Sequence, residues 1–568
     1  MSDRMRARGP DDGGVLTEGA WGFGHRRLKV MDLSDGSAQP MSSAQLGLSI
    51  VFNGAIYNYP ELREDLRTRG YSFSSDGDTE VLLKAWHCWG RDSLRRLDGM
   101  FAFAIREWNS GRTTLVRDRL GIKPLYYTVT RDYLRFASSL PALVVAGGVA
   151  GEIDPMALNA YMSFHSVVPP PRTLIRNIRK LAPGHLMTIE ASGTCSEECY
   201  WQLSFSRDSR DESRSFAEWR EMLLDELRAA VRKRLVAAVD VGVLLSGGID
   251  SSLLVGLMAE AGASRLATYS VGFESVGDKQ GDEFVYSDII ADRFQTSHHK
   301  IRVSSSQLLA HLPDAIAAMS EPMVSHDCIG FYLLSKEVAK SSKAVQSGQG
   351  ADEVFGGYHW YPPMVEAERP LDSYRDAFFD RDFLEYKQVI GGSLPATDYA
   401  SDFVEQHFGA PGAEDPVDKA LRLDSTVMLV EDPVKRVDNM TMAWGLEARV
   451  PFLDHRLVEF AARMPSRHKV ASEGKYVLRE AARRVIPPAV IDRPKGYFPV
   501  PALTYLRGEV LDYVRDALFS EKARNRGVYN RAYVDRVLEA PEKHITPLGG
   551  SKLWQLGLME IWLQTQGV

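Results

Sequence analysis

Cysteine is scarce: four residues, Cys88, Cys195, Cys199 and Cys328, in a chain of 568. At this size so few exclude a disulfide scaffold. Cys195 and Cys199 form a C-x3-C pair with no second ligand pair nearby, which reads as a surface loop in preference to a zinc site. Long apolar runs are missing too. The most apolar stretch, VGVLLSGGIDSSLLVGLM, carries Asp250 and paired glycines in its middle and is excluded as a bilayer span. The basic N-terminus lacks the apolar core of a signal peptide. There is no excess of positive charge, and a net −7 gives no electrostatic reason to expect nucleic acid or an anionic membrane as partner. The remainder, 44% hydrophobic and 25% charged, describes a cytoplasmic, soluble protein with more than one domain.

What is present falls into two textures. Up to Trp201, short β-type runs such as LSIVFNGAIYN, GMFAFAIREW and TTLVRDRLGIKPLYYT are punctuated by Gly, Asn and Asp, which predicts antiparallel sheets. Residues 202–214 are polar and charged and read as a linker. Ser215-Phe-Ala-Glu218 matches a capping box, followed by Trp219, Leu223, Leu227 and Val231 at helical spacing. Arg232-Lys233-Arg234 reads as a solvated face near the negative dipole end of that helix. The apolar strands VGVLL, ATYSVGF and AVQSG alternate with helices and predict a parallel, doubly wound sheet. Beyond about residue 365 the pattern is mostly helical.

The chemistry concentrates in GVLLSGGIDSSLL. A strand runs into Ser246-Gly247-Gly248-Ile249-Asp250-Ser251 and a helix follows, so backbone amides and hydroxyls can meet a phosphate. Asp250 would repel phosphate unless Mg2+ intervened, and no Lys follows the glycines as in a Walker loop. QSGQGADEVFGGY repeats the logic with Asp352 and Glu353, and two such loops fit a nucleotide at the carboxyl ends of parallel strands.

SGGxDS resembles the pyrophosphate loop of the N-type ATP pyrophosphatases. MTMAWGLEARVPFLDHRLVEF and GKYVLREAARRVIP are similar to stretches of the asparagine synthetases. RGPD, GHRRL, NGAIYN, GDTEV, GMFAFAI and RDRLGIKPLYY follow the order of that family's glutaminase domain, so the resemblance covers essentially the whole chain. It implies an α+β half over residues 1–201, an Ntn-hydrolase-type antiparallel sandwich of class II glutamine amidotransferases, short of its N-terminal segment. An α/β half over 215–568 follows, a doubly wound N-type ATP-pyrophosphatase domain with extra C-terminal helices.

The resemblance further implies that ATP activates a substrate carboxylate as an acyl-adenylate, releasing pyrophosphate, and that ammonia displaces AMP to leave an amide. Ser246, Gly247, Gly248 and Ser251 would cradle pyrophosphate, Asp250 and Asp352 would hold Mg2+, and Leu244, Val271, Ser347 and Gly348 would line the nucleoside. Lys475 would neutralise charge on the departing pyrophosphate. Arg449 and Asp454 are read as structural ion partners. Gln349 stands where the best-studied members have a Glu with a proton-transfer role, which Gln cannot perform. In the glutaminase half, Arg27, Asn53, Gly54 and Asp78 match glutamine-binding and oxyanion positions, although Asn53-Gly54 alone also fits a hairpin turn. Two other classes compete: a glutaminase-type hydrolase with a non-catalytic second half, and a silent regulatory homologue.

YMSFHSVVPPPRTL, SEPMVSHDCIGFYLLS and SGQGADEVFGGYHWYPP resemble the N-acetylglutaminylglutamine amidotransferase branch, implying a dipeptide acceptor and an osmoprotectant product. Ser325-His326-Asp327 and Tyr358, His359, Trp360 and Tyr361 could line its pocket, with core packing an even alternative for the aromatic group. The expected partners are these small molecules, with a homodimer possible. In the family a strand and a helix separate an N-terminal nucleophilic cysteine from RGPD, and here only a handful of residues do. Ser2 stands too near Arg8, and Cys88 has no free α-amine, so no nucleophile is assigned. The polypeptide as written is expected to use ammonium and not glutamine.

Overall fold

The β-type runs of the first half form two antiparallel sheets and a hairpin. These are seen in a computed structural model that describes residues 1–263, 265–274, 282–392, 394–493 and 506–568. Strands β1 (Asp12–Glu18) and β2 (Trp21–Arg27) make the hairpin. Next come β3 (Met41–Ser43), β4 (Leu48–Ile56), β5 (Gly99–Glu107) and β6 (Thr113–Arg117). A small sheet takes β7 (Tyr126–Val129), β8 (Leu134–Ala137) and β9 (Arg179–Lys180). Then β10 (His185–Ile189) and β11 (Cys195–Cys199) return to complete a six-stranded sheet in the order β11-β10-β6-β5-β4-β3.

Along β4, Ile50 and Phe52 face a core shared with helices Tyr59–Thr68 and Asp78–Trp89, while Val51 faces a second core with Phe23 and Leu115. Successive side chains point to opposite faces, so the sheet is buried on both and sits inside a sandwich.

The second half opens with helix Phe216–Lys233. Its capping box is formed by Ser215 and Glu218, and Trp219, Leu223, Leu227 and Val231 are buried at the predicted spacing. The parallel sheet comprises β12 (Val241–Leu244), β13 (Ala267–Phe273), β14 (Ser297–Val303), β15 (Ala344–Gln346) and β16 (Glu447–Arg449), in the order β14-β13-β12-β15-β16. From Pro370 the regular structure is almost all helix, ending at Lys552–Gln566. Among the described residues no helix is long and apolar enough to cross a membrane.

Three expectations change. Cys195 and Cys199, read as part of a surface loop, are instead the two ends of edge strand β11, about 13 Å apart at the rise of an extended chain. Of the basic cluster only Arg232 is exposed. Arg234 is buried on Asp454 at 3.0 Å, and Lys233 reaches Asp98 of the first half at 2.9 Å. Finally, 202–214 is packed: Leu203 and Phe205 are buried, Ser209–Ser213 is helical, and Arg207 pairs with Asp418. One apolar core runs across both halves.

Candidate active site

The chain leaves β12 for β13 on one side and later returns to β15 on the other, so the strand order reverses between β12 and β15. At such a switch point the two strand-end loops diverge and leave a crevice. The loop Ser246–Gly248 after β12 and Ser347-Gly348 after β15 meet there; a Cβ placed on Gly348 would lie 3.0 Å from that of Asp250. The crevice holds a cavity of about 220 Å³, lined by Leu244, Ser246, Asp250, Ser251, Val271, Ser347, Gly348 and Asp352. The sequence separates these residues by more than a hundred positions, and the fold brings them together.

The loop is internally braced. Ser246 N–H donates to Ser251 Oγ at 3.1 Å, the two hydroxyls are 2.9 Å apart, and Gly248 N–H donates to Ser246 Oγ at 3.2 Å. Gly248 is the N-cap of helix Ile249–Glu260, so the positive end of that helix opens on the crevice.

Lys475 reaches the same place from the far end of the chain. It is the N-cap of helix Tyr476–Ala482 with φ +50, and its Nζ lies 2.7 Å from Asp250 Oδ2 and 2.8 Å from Asp352 Oδ2. Burial favours the neutral amine, but the two carboxylates outweigh it and hold the ammonium above its usual pKa. Gly357 makes room for this contact: a Cβ there would stand 2.2 Å from Asp352 Oδ1 and 2.4 Å from Lys475 Cε.

These groups suit Mg2+ and a triphosphate. Asp250 and Asp352 converge on one point with hard oxygen donors, and Mg2+ takes one or two carboxylates and completes its shell with water and phosphate oxygens. Among the described residues no cluster of three or more His, Cys, Asp or Glu side chains forms an all-protein metal cage.

The acceptor-side candidates divide. Asp327 and Tyr358 line the cavity, as do Gln349 and Glu353. Tyr358 Oη donates to Glu353 Oε1 at 2.6 Å, and burial together with Asp352 pushes that carboxyl up to about 7. Trp360 and Tyr361 are core, donating to buried Asp424 at 3.2 and 2.5 Å, and His359 is exposed. Ser325 accepts from Arg436, and His326 is buried, its imidazole held down to about 4 by desolvation and by His165.

A second cavity, of about 140 Å³, lies in the first half and brings together Arg27, Asn53, Gly54 and Asp78. Asn53-Gly54 is no turn: both sit within β4, opposite Ala102 and Phe101. At Gly54 (φ +150) a Cβ would run to 2.0 Å from the Met100 carbonyl oxygen. Arg27 donates to the Asp32 and Ser34 carbonyls, both at 2.8 Å, and Asn53 Nδ2 donates to Ser138 Oγ at 3.2 Å. Asp78 accepts from Ile56 N–H at 2.9 Å. His25, two residues from Arg27 on β2, also lines the cavity, and burial holds it neutral with a pKa of about 4. Its position in GHRRL, on the same strand face as Arg27, was the available signal. No cysteine is among the described residues that line this cavity, and Ser2 is not among them either.

The halves are joined by buried charges. Asp438 binds Arg8 at 2.8 Å and Lys123 at 3.2 Å, while Lys180 of β9 binds Glu321 at 2.9 Å and also Glu431, with Lys435 at 3.2 Å from Glu431.

Residues 222–564 match the Asparagine synthase family, and residues 1–201 match the Glutamine amidotransferase domain family. The chain is 33% identical to asparagine synthetase (glutamine-hydrolyzing) 1 of Bacillus subtilis (strain 168), over 99% of this chain and 92% of the relative. It is 30% identical to asparagine synthetase (glutamine-hydrolyzing) 3 of the same organism, over 88% and 83%. A protein named amidase chry2, from Gibberella zeae, is 25% identical over 92% of this chain and 88% of its own length.

Proposed function

Because the chain belongs to the asparagine synthetase family, we propose that it is an ATP-dependent amidotransferase that adenylates the carboxylate of N-acetylglutaminylglutamine and converts it to the amide. The observation that carries the ligase chemistry is the convergence of Lys475 on Asp250 and Asp352 at the glycine loops of the β12/β15 switch point.

A carboxylate oxygen is a poor leaving group, so direct attack by ammonia fails. The acceptor carboxylate attacks the α-phosphorus of ATP, the bond to the bridging oxygen of pyrophosphate breaks, and the acyl carbon then carries AMP as a good leaving group. Ammonia adds to that carbon and AMP departs. In this reading Ser246, Gly247, Gly248 and Ser251 bind the pyrophosphate oxygens through amides and hydroxyls, and Leu244, Val271, Ser347 and Gly348 border the nucleoside. Lys475 meets the negative charge that grows on the leaving group, an electrostatic term that acts most strongly in the transition state. Asp250 and Asp352 would hold Mg2+, which when bound neutralises phosphate charge.

In the first half, Arg27 would meet the carboxylate of an amino acid and Asp78, once ionised beside it, the ammonium, while Asn53 and Gly54 supply donors. The pocket therefore supports glutamine as its ligand. Parallel synthesis assays with glutamine and with ammonium identify the nitrogen source.

The acceptor rests on the resemblance of three stretches to the N-acetylglutaminylglutamine branch, two of which contain the cavity-lining residues Asp327 and Tyr358. Its product would serve as an osmoprotectant. Aspartate is the competing acceptor, favoured by the names of the relatives. ATP–pyrophosphate exchange separates the two. Exchange driven by the acetylated dipeptide supports the reading, and exchange driven by aspartate alone overturns it.

A further inference from the structure

A second cation stands at the glycine loop. Arg493 Nη1 and Nη2 donate to Glu283 Oε1 and Oε2 at 2.8 and 2.9 Å, and its guanidinium lies over the Tyr286 ring at 4.5 Å. Glu283 and Tyr286 also pack on the loop itself. A Cβ placed on Gly247 would lie 3.1 Å from both the Glu283 carbonyl oxygen and Tyr286 Cβ, and one placed on Gly248 would lie 3.7 Å from Arg493 Nη2.

The fork-to-fork pair therefore holds the guanidinium against the first turn of helix Ile249–Glu260, where the amides point outward. Lys475 occupies the Asp250–Asp352 side of this turn and Arg493 the Gly248 side. A guanidinium has five N–H donors, and Glu283 uses two of Arg493's. Among the described residues the other three have no acceptor, and planar bidentate geometry suits phosphate better than a lysine does. Gly248 presents no side chain between Nη2 and the loop. An ion pair serving stability alone has no need of a side-chain-free neighbour or of helix-end amides beside it.

We propose that Arg493 is a second phosphate-binding cation of the adenylation site, donating to pyrophosphate oxygens as the acceptor carboxylate bonds to the α-phosphorus and the electron pair of the broken phosphoanhydride leaves on pyrophosphate. This rests on the adenylation reading above.

Calorimetry with inorganic pyrophosphate and Mg2+ tests it on the full chain, comparing wild type with Arg493→Ala, Arg493→Lys and Arg493→Gln. Loss of one charge-assisted contact should weaken binding roughly ten- to a hundredfold in the Ala and Gln variants, with a smaller loss for Lys. Unliganded thermal midpoints identify any variant that fails to fold, and the remaining ones decide. Wild-type affinity in a folded Ala or Gln variant overturns the proposal, as does a wild type that binds no pyrophosphate. Weakened binding in the variants upholds it even if no acceptor supports ATP–pyrophosphate exchange, in which case the functional reading fails by itself.

Discussion

Lys475 Nζ donates to Asp250 Oδ2 at 2.7 Å across 225 positions of sequence. Asp352 closes the triangle at 2.8 Å, so one positive and two negative charges meet where the loops after β12 and β15 face each other. Counting only these three groups, the point carries a net charge of −1. That charge would suit a metal ion carried by a polyphosphate, with Lys475 facing the same anion.

Asp250→Asn keeps the side-chain shape but removes one of the two carboxylates. Pyrophosphate release and ATP–pyrophosphate exchange should fall at least about a hundredfold, as for loss of a group that stabilises developing charge. The fold should survive, as circular dichroism would show. Turnover at the wild-type rate would refute the assigned role of the carboxylate.

Gly357→Ala places a methyl group 2.2 Å from Asp352 Oδ1 and 2.4 Å from Lys475 Cε, closer than atoms pack. The lysine end is flexible and should move, separating the ammonium from Asp352. We expect kcat to drop more than tenfold with ATP binding less affected, since the lost contact matters most in the transition state. Equal losses in kcat and in ATP affinity would contradict this account.

Asp78 gives a pH dependence. Burial, reinforced by Glu447, raises its carboxyl from 3.8 to about 7 against the Ile56 N–H, which favours the ionised form. A proton held more tightly in the folded than in the unfolded chain stabilises the fold fully below about pH 4, and that contribution is lost as pH rises towards 7. Asp78→Asn should flatten the stability curve between those limits. Thermal midpoints of both proteins at pH 4.5 and 7.5 check it, and parallel curves would rule the effect out.

Lys180 is buried with Glu321 at 2.9 Å, with Glu431, and with the Val168 carbonyl at 2.7 Å. Lys180→Met would leave two buried carboxylates to share Lys435. The cost should be about 3–5 kcal/mol, measured by urea denaturation, because an orphaned buried charge is worse than a missing pair. A change below about 1 kcal/mol would show that the network is wetter than its burial indicates.

Much of the crevice geometry was legible because a strand–glycine–helix turn is written locally. Strand, glycines and helix follow one another within SGGIDS, and Asp352 stands at the same offset in the second loop. The antiparallel runs around β4 and β5 were likewise visible as alternating apolar residues. What escaped had no local signal. SHHKIRV became β14 at the sheet edge, where its mostly exposed side chains show no apolar alternation. The three residues of β16 carry the ion pair of Glu447 with Arg449 at 2.9 Å, a composition that reads as surface although all three are buried. Arg234 and Arg493 were missed for the same reason: a charged residue looks solvated until the fold supplies Asp454 or Glu283. Trp360 and Tyr361 could be placed in the core only once Asp424 was found to receive their donors.

The packed segment 202–214 bears on protein engineering. Arg207 from that segment and Lys469, in the stretch that leads to Lys475, share the carboxylate of Asp418, and burial beside Arg207 holds Lys469 down to about 7. The join between the two halves is thus fastened to the stretch that carries Lys475 to Asp250 and Asp352. A chimaera spliced at this junction would carry its seam into the adenylation chemistry, so grafting a foreign amidotransferase half requires Arg207, Asp418 and Lys469 to be moved as one unit.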